Sequence, residues 1–148
     1  MRFSGSDQRA LALWAADCAE RVLPLFEQKY PSDDRPRKAI EAARSWTRGE
    51  IRVGEARAAA VAAHAAARAA CESAARAAAR SAGQAAGTPH MAAHARHAAD
   101  YAVLAVAPGE AVGERDWQYQ RLPEGLRTAI FPTEGQSPAT PSRAATAG

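Results

Sequence analysis

An all-α bundle of five to six helices with short loops, followed by a disordered C-terminal tail, is what this sequence predicts, and three observations predict it. Alanine makes up more than half of the 47% of residues that are hydrophobic, and it is the best helix former. Proline, glycine and capping residues punctuate the chain at helix-length intervals. From Thr133 to Gly148 no large apolar residue occurs, so burial would not offset the entropy of ordering that stretch. The expected organisation is one helical domain over residues 1–132 and a disordered tail over 133–148.

The elements follow in order. Ser6 is the expected N-cap of the first helix. Leu11, Trp14, Ala15, Cys18, Val22 and Leu25 recur at helical spacing and form one apolar stripe. Pro24 lacks an amide hydrogen, which predicts a kink or split near Val22, and the segment closes at Tyr30–Pro31. The loop from Pro31 to Pro36 is dense in turn formers. Pro36 suits the first position of a second helix, with Asp33 and Asp34 at its positive end, and that helix should stop at Gly49. A third is expected from Gly54 past His64 to about Ala70. Cys71-Glu72-Ser73 marks a break, with Ser73 capping a fourth helix, and Gly83, Gly87 and Pro89 mark the next interruption. His90 to Ala107 reads as a fifth helix stopped by Pro108-Gly109, and a short one around Glu114 to Arg121 carries Trp117 and ends at Pro123. Short helix–helix loops are the pattern of a bundle. In a chain only 6% aromatic, Trp14 and Trp46 are expected to be largely buried.

Charge and composition exclude several functions. The net charge of +3 is mild, and lysine occurs only at Lys29 and Lys38. Arg57, Arg68, Arg76, Arg80 and Arg96 are spaced along alanine-rich helices, which reads as solvated faces rather than a nucleic-acid footprint. Cys18 and Cys71 have neither the spacing of a disulfide framework nor that of a zinc knuckle. The N-terminus has no apolar signal-peptide core. The alanine-rich run from Ala56 to Ala86 is too often broken by Arg, His, Glu and Gln to span a bilayer. A soluble cytoplasmic protein without a cofactor is expected.

Two constellations could carry chemistry. His90, His94 and His97 share one face if the fifth helix begins at Pro89, since spacings of four and three are helical. A pair at i, i+4 can hold a transition metal, so His90, His94 and His97 stand as an alternative metal set. Otherwise these rings hydrogen-bond between helices made of alanine. The second constellation is charged: Asp17 and Glu20 on the first helix face Arg35, Arg37, Lys38, Glu41 and Arg44 around the second. These groups form either an interhelical ion-pair seam or a cleft that grips a ligand. His64 sits among alanines near Arg57 and Arg68. No Ser-His-Asp set, phosphate loop or nucleophile elbow occurs, so the chain leans away from an enzyme.

Several stretches occur together: Leu13-Trp14-Ala15-Ala16-Asp17-Cys18-Ala19-Glu20-Arg21-Val22-Leu23, Asp33 to Arg44, Ala63-His64-Ala65-Ala66-Ala67-Arg68, Gly83-Gln84, His90 with His94, and Glu114-Arg115-Asp116-Trp117-Gln118 before Arg121-Leu122-Pro123. In these, over about residues 7 to 131, the sequence resembles the class-five-like immunity proteins of bacterial polymorphic toxin systems. That family reads Ala-Thr-Ala-His where this chain has Gly87-Thr88-Pro89-His90, so an earlier helix break is expected here. The resemblance implies a helical cytoplasmic protein that protects its host from a toxin. The functional expectation is neutralisation by stoichiometric binding of a cognate toxin protein or toxic small molecule, through Asp33, Asp34, Arg35, Arg37, His64, His90 and His94. The alternative is a small-molecule-binding protein or metal-dependent enzyme of a biosynthetic cluster, using a histidine-lined interhelical pocket.

Overall fold

The computed structural model describes residues 2–133, which are mostly helical, and no strand occurs among them. Among the described residues seven α-helices run in order: α1 Gly5–Glu27, α2 Arg35–Thr47, α3 Val53–Ala69, α4 Ser73–Gly87, α5 His94–Ala105, α6 Ala111–Arg121 and α7 Arg127–Ile130. Short 3-10 turns at Pro108–Glu110 and Glu124–Leu126 precede the last two. The count exceeds the five to six expected because the segment after Pro123 folds one more turn of helix. The tail expected over 133–148 lies, from residue 134 on, outside the described residues.

Helix α4 is the centre of the bundle, packed by α1, α2, α3 and α5. Its buried side chains are nothing but alanine, glycine and serine: Ala75, Ala77, Ala78, Ala79, Ser81, Ala82, Gly83, Ala85, Ala86 and Gly87. A helix buried on several faces must be apolar around most of its circumference, and small side chains let its neighbours approach closely. Ser81 is accommodated because its hydroxyl donates to the Ala98 carbonyl at 2.7 Å, which satisfies a polar group that would otherwise be costly to bury.

The larger side chains sit on α1. Leu11, Trp14, Cys18, Val22, Leu23 and Phe26 are all buried. The stripe read from the sequence holds from Leu11 to Val22, and beyond it Phe26 takes the core position expected of Leu25, which is half-buried. Trp14 also donates from Nε1 to the Gln118 carbonyl at 2.8 Å. Gln118, fully buried, donates from Nε2 to the Ala99 carbonyl at 2.9 Å, so one residue of α6 is tied to both α1 and α5. Burial pushes the Cys18 thiol well above its usual range, which makes it chemically inert.

Local expectations are corrected at five places. Ser4, not Ser6, caps α1: its hydroxyl accepts from the Asp7 amide while the Asp7 carboxylate accepts from the Ser4 amide, a reciprocal arrangement that Ser6 has no partner to make. Helix α1 is not split at Pro24 but continues to Glu27, because a proline so near the C-terminus removes a single ladder bond while its carbonyl still accepts from Gln28. Ser73 is the first residue of α4, and its N-cap is Glu72. Helix α5 starts at His94, which leaves His90 in the preceding turn. Trp46 is half-buried where Trp14 is buried. Gly49, at φ 74°, takes the left-handed conformation that ends the α2 segment.

Candidate functional site

Helices α3, α4 and α5 line an open cavity of about 210 Å³. Its floor is glycine. Gly83 and Gly87 lie one turn apart on α4, and each seats a histidine from a different neighbour. A Cβ added at Gly83 would lie 2.6 Å from Cε1 and 2.7 Å from Nε2 of His64 on α3. A Cβ added at Gly87 would lie 3.2 Å from Cδ2 and Cγ of His94 on α5. Alanine at either position would crowd the ring, severely at Gly83. Ala60, Val61 and Arg57 of α3 and His90 of the turn complete the lining.

Each ring is held by a neighbour on α4. The Arg80 guanidinium lies 3.1 Å from His64 Nδ1. Arginine has only donors, so Nδ1 accepts and a neutral His64 carries its proton on Nε2. His94 donates from Nδ1 to the Gln84 side-chain oxygen at 2.6 Å, which leaves a lone pair on its Nε2. Burial first, and then the charges of Arg80, Arg68 and His94, holds His64 below the ordinary histidine range. Burial, followed by His97 and His90, does the same for His94. Both rings are therefore neutral near pH 7.

The turn between α4 and α5 is anchored from a distance. Gln8 of α1 donates to the carbonyls of Thr88 and Pro89 at 3.1 and 2.9 Å. The amides of His90 and Met91 both donate to the Gly87 carbonyl at 3.1 Å. These bonds fix His90 at the cavity without the helix that the sequence suggested, so the break expected at Gly87-Thr88-Pro89 is present. His97 is exposed and does not line the cavity. Its ring stands 6.2 Å from that of His94, centroid to centroid. Among the described residues, no three His, Cys, Asp or Glu side chains are grouped so as to hold a metal ion.

The charged stretch is placed apart from the cavity. Asp33 accepts from the Arg35 guanidinium at 2.7 and 2.9 Å, Asp34 pairs with Lys38 at 3.3 Å, and Arg37 donates to Glu27 at 2.6 and 2.8 Å. One turn pair further along the same seam, Arg44 reaches Asp17 and Glu20, each at 2.8 Å. The Arg37 and Arg44 pairs form the ion-pair seam between α1 and α2, and the Asp33 and Asp34 pairs are local to the start of α2. Hydrogen bonds to arginine hold Glu20 and Asp33 below the usual carboxylate range. The structure thus brings His64, His90 and His94 together and leaves Asp33, Asp34, Arg35 and Arg37 outside.

Sequence reasoning placed Arg57 near His64 but missed Arg80, Gln84 and the two glycines as parts of one site. Glycine in a helix interior is about 1 kcal/mol worse than alanine. A Gly-x-x-x-Gly pair in a helix otherwise built of alanine was the available signal for close approach in addition to the helix end at Gly87.

The family described as Imm-5 like putative immunity protein matches residues 1–125. No curated protein and no solved structure matches the chain.

Proposed function

The chain belongs to the Imm-5 like immunity protein family, and from that premise we propose that it neutralises a cognate toxin by stoichiometric binding, with the histidine cavity at the centre of the contact. The observation that carries this reading is the composition of the cavity and its rim. Val61, on the lining, is 66% exposed, and Met91, next in the chain to His90, is 53% exposed. An apolar rim around a pocket that can receive one anchoring side chain matches the anatomy of an interface hot spot. The stretch Asp33, Asp34, Arg35 and Arg37 is assigned a secondary contact, since its charges already have intramolecular partners and exposed pairs contribute little.

A second reading draws on the same cavity. The free lone pair of His94 and the N–H of His64 are the groups a small-molecule site or an acid–base catalyst would use, and they keep the small-molecule-binding or enzymatic alternative in play. One titration separates the two. A binder protects only while its molar amount keeps pace with the toxin, so residual activity of the toxin encoded beside it should fall to a sharp endpoint near one equivalent. Val61→Asp should move or abolish that endpoint. Full protection far below equivalence, with a chemically altered target, would replace binding with catalysis.

A further inference from the structure

We propose that the cavity is a carboxylate seat, which receives an aspartate or glutamate side chain of the toxin between the His64 Nε2–H and the Arg57 guanidinium, over the floor made by Gly83 and Gly87. This inference rests on the binding reading above and names the chemistry the partner must present.

The donor at His64 follows from its neighbour. With Nδ1 occupied by Arg80, the only proton of the neutral ring points from Nε2. That atom has no hydrogen-bond partner among the described residues, and no buried side-chain nitrogen or oxygen there is left unpartnered. Nε2 is therefore not sealed inside the protein, and His64 is a lining residue of the cavity. Arg57 supplies the charge. Arg21, Arg35, Arg37, Arg44, Arg48, Arg96 and Arg115 are each committed to a carboxylate. Arg57 lines the cavity and enters no ion pair among the described residues. None of the lining residues is acidic. One full positive charge, one preset N–H donor and an uncharged floor form a site for an anion, because charge-assisted bonds are the strong ones.

Size and charge sense agree. A cavity of about 210 Å³ has room for a side chain. The chain carries a net charge of +3, and Asp33 and Asp34 are each neutralised by a neighbouring cation, so complementarity favours an acidic partner surface. An uncharged amide could also bridge the His64 donor and the His94 acceptor. It would leave Arg57 unanswered, which is why the carboxylate is preferred.

The seat carries a proton linkage. The titratable and charged groups that line it are Arg57, His64, His90 and His94, while Arg80 and Arg68 act on His64, and His97 acts on His94, from outside the lining. An anion entering beside the His94 lone pair raises the proton affinity of that ring, so binding takes up a proton and strengthens as pH falls from 7.5 towards 6.

The test uses the full chain and two probes, N-acetyl-glutamate amide and its neutral isostere N-acetyl-glutamine amide, with the histidine ring signals followed by NMR. The glutamate probe should shift the His64 and His94 rings saturably and bind more tightly at pH 6 than at pH 7.5. The glutamine probe should bind about tenfold more weakly, the factor that one charge-assisted bond carries. Arg57→Gln, an exposed change whose folding circular dichroism can verify, should erase that preference. Equal binding of the two probes would make the cavity an amide site, absence of any ring shift would remove the seat, and an unaltered preference in Arg57→Gln would remove Arg57 from it. Neither probe involves the toxin. A failed toxin titration with an intact glutamate response would therefore overturn the immunity reading alone, and the reverse result would overturn the seat alone.

Discussion

Replacing Gly83 with alanine isolates the packing that builds the cavity. The new Cβ would stand 2.6 Å from Cε1, 2.7 Å from Nε2 and 2.9 Å from Nδ1 of His64, so the ring must leave its place. Overpacking of this kind costs about 1–3 kcal/mol, and the displaced ring also loses the Arg80 hydrogen bond, worth ~1 kcal/mol. Against this, alanine in a helix gains about 1 kcal/mol over glycine. The net expectation is a destabilisation of about 1–3 kcal/mol. In a His64→Ala background the obstruction is gone and only the propensity gain remains, so the same substitution should stabilise by about 1 kcal/mol. Urea unfolding followed at the helical circular dichroism band gives all four corners of this cycle. The sign reversal, a coupling of about 2 kcal/mol or more, is the diagnostic. If Gly83→Ala stabilises the parent protein, or has the same effect in both backgrounds, then His64 does not occupy the space above Gly83 and the cavity as described does not exist.

Two other outcomes follow from burial and charge. Trp14→Ala should destabilise by about 3–5 kcal/mol, since the ring is 2% exposed and anchors Gln118, while half-buried Trp46→Ala should cost less than about 2 kcal/mol; equal values in the same unfolding assay would contradict this ordering. Because His64 and His94 titrate below the ordinary value of about 6.5, the unfolded chain binds protons more readily in that window. Stability in thermal melts should therefore hold at pH 7.5, decline as pH falls through about 6.5, and level off below the folded values. A separate loss near pH 4 and below belongs to Glu20, Asp33 and Asp100, whose carboxylates are lowered, and the His64→Gln, His94→Gln double variant should flatten the upper step alone.

Alanine content, the prolines and the glycines determined the helical class, the order of the helices and most of their limits, because propensity and backbone punctuation act within a few residues of one another. The stripe from Leu11 to Val22 was legible for the same reason: its period is a property of one helix. The seam of Asp17, Glu20 and Arg44 was legible as a possibility, since opposite charges at matching positions need only two adjacent helices to meet. What the sequence could not settle was who meets whom across α4. His64 and His94 are thirty residues apart in the chain and come to one cavity only because α3 and α5 both pack against the small-residue face of α4. The helix end at Gly87 was legible, but the close packing of both glycines against histidines was not, for want of that context. The start of α5 was misplaced because Gln8, from the far end of the chain, holds the Thr88-Pro89 turn open. The choice of rings, their proton positions and the place of Arg57 beside them were decided by contacts between helices, and those depend on how closely the backbones approach, which no local pattern encodes.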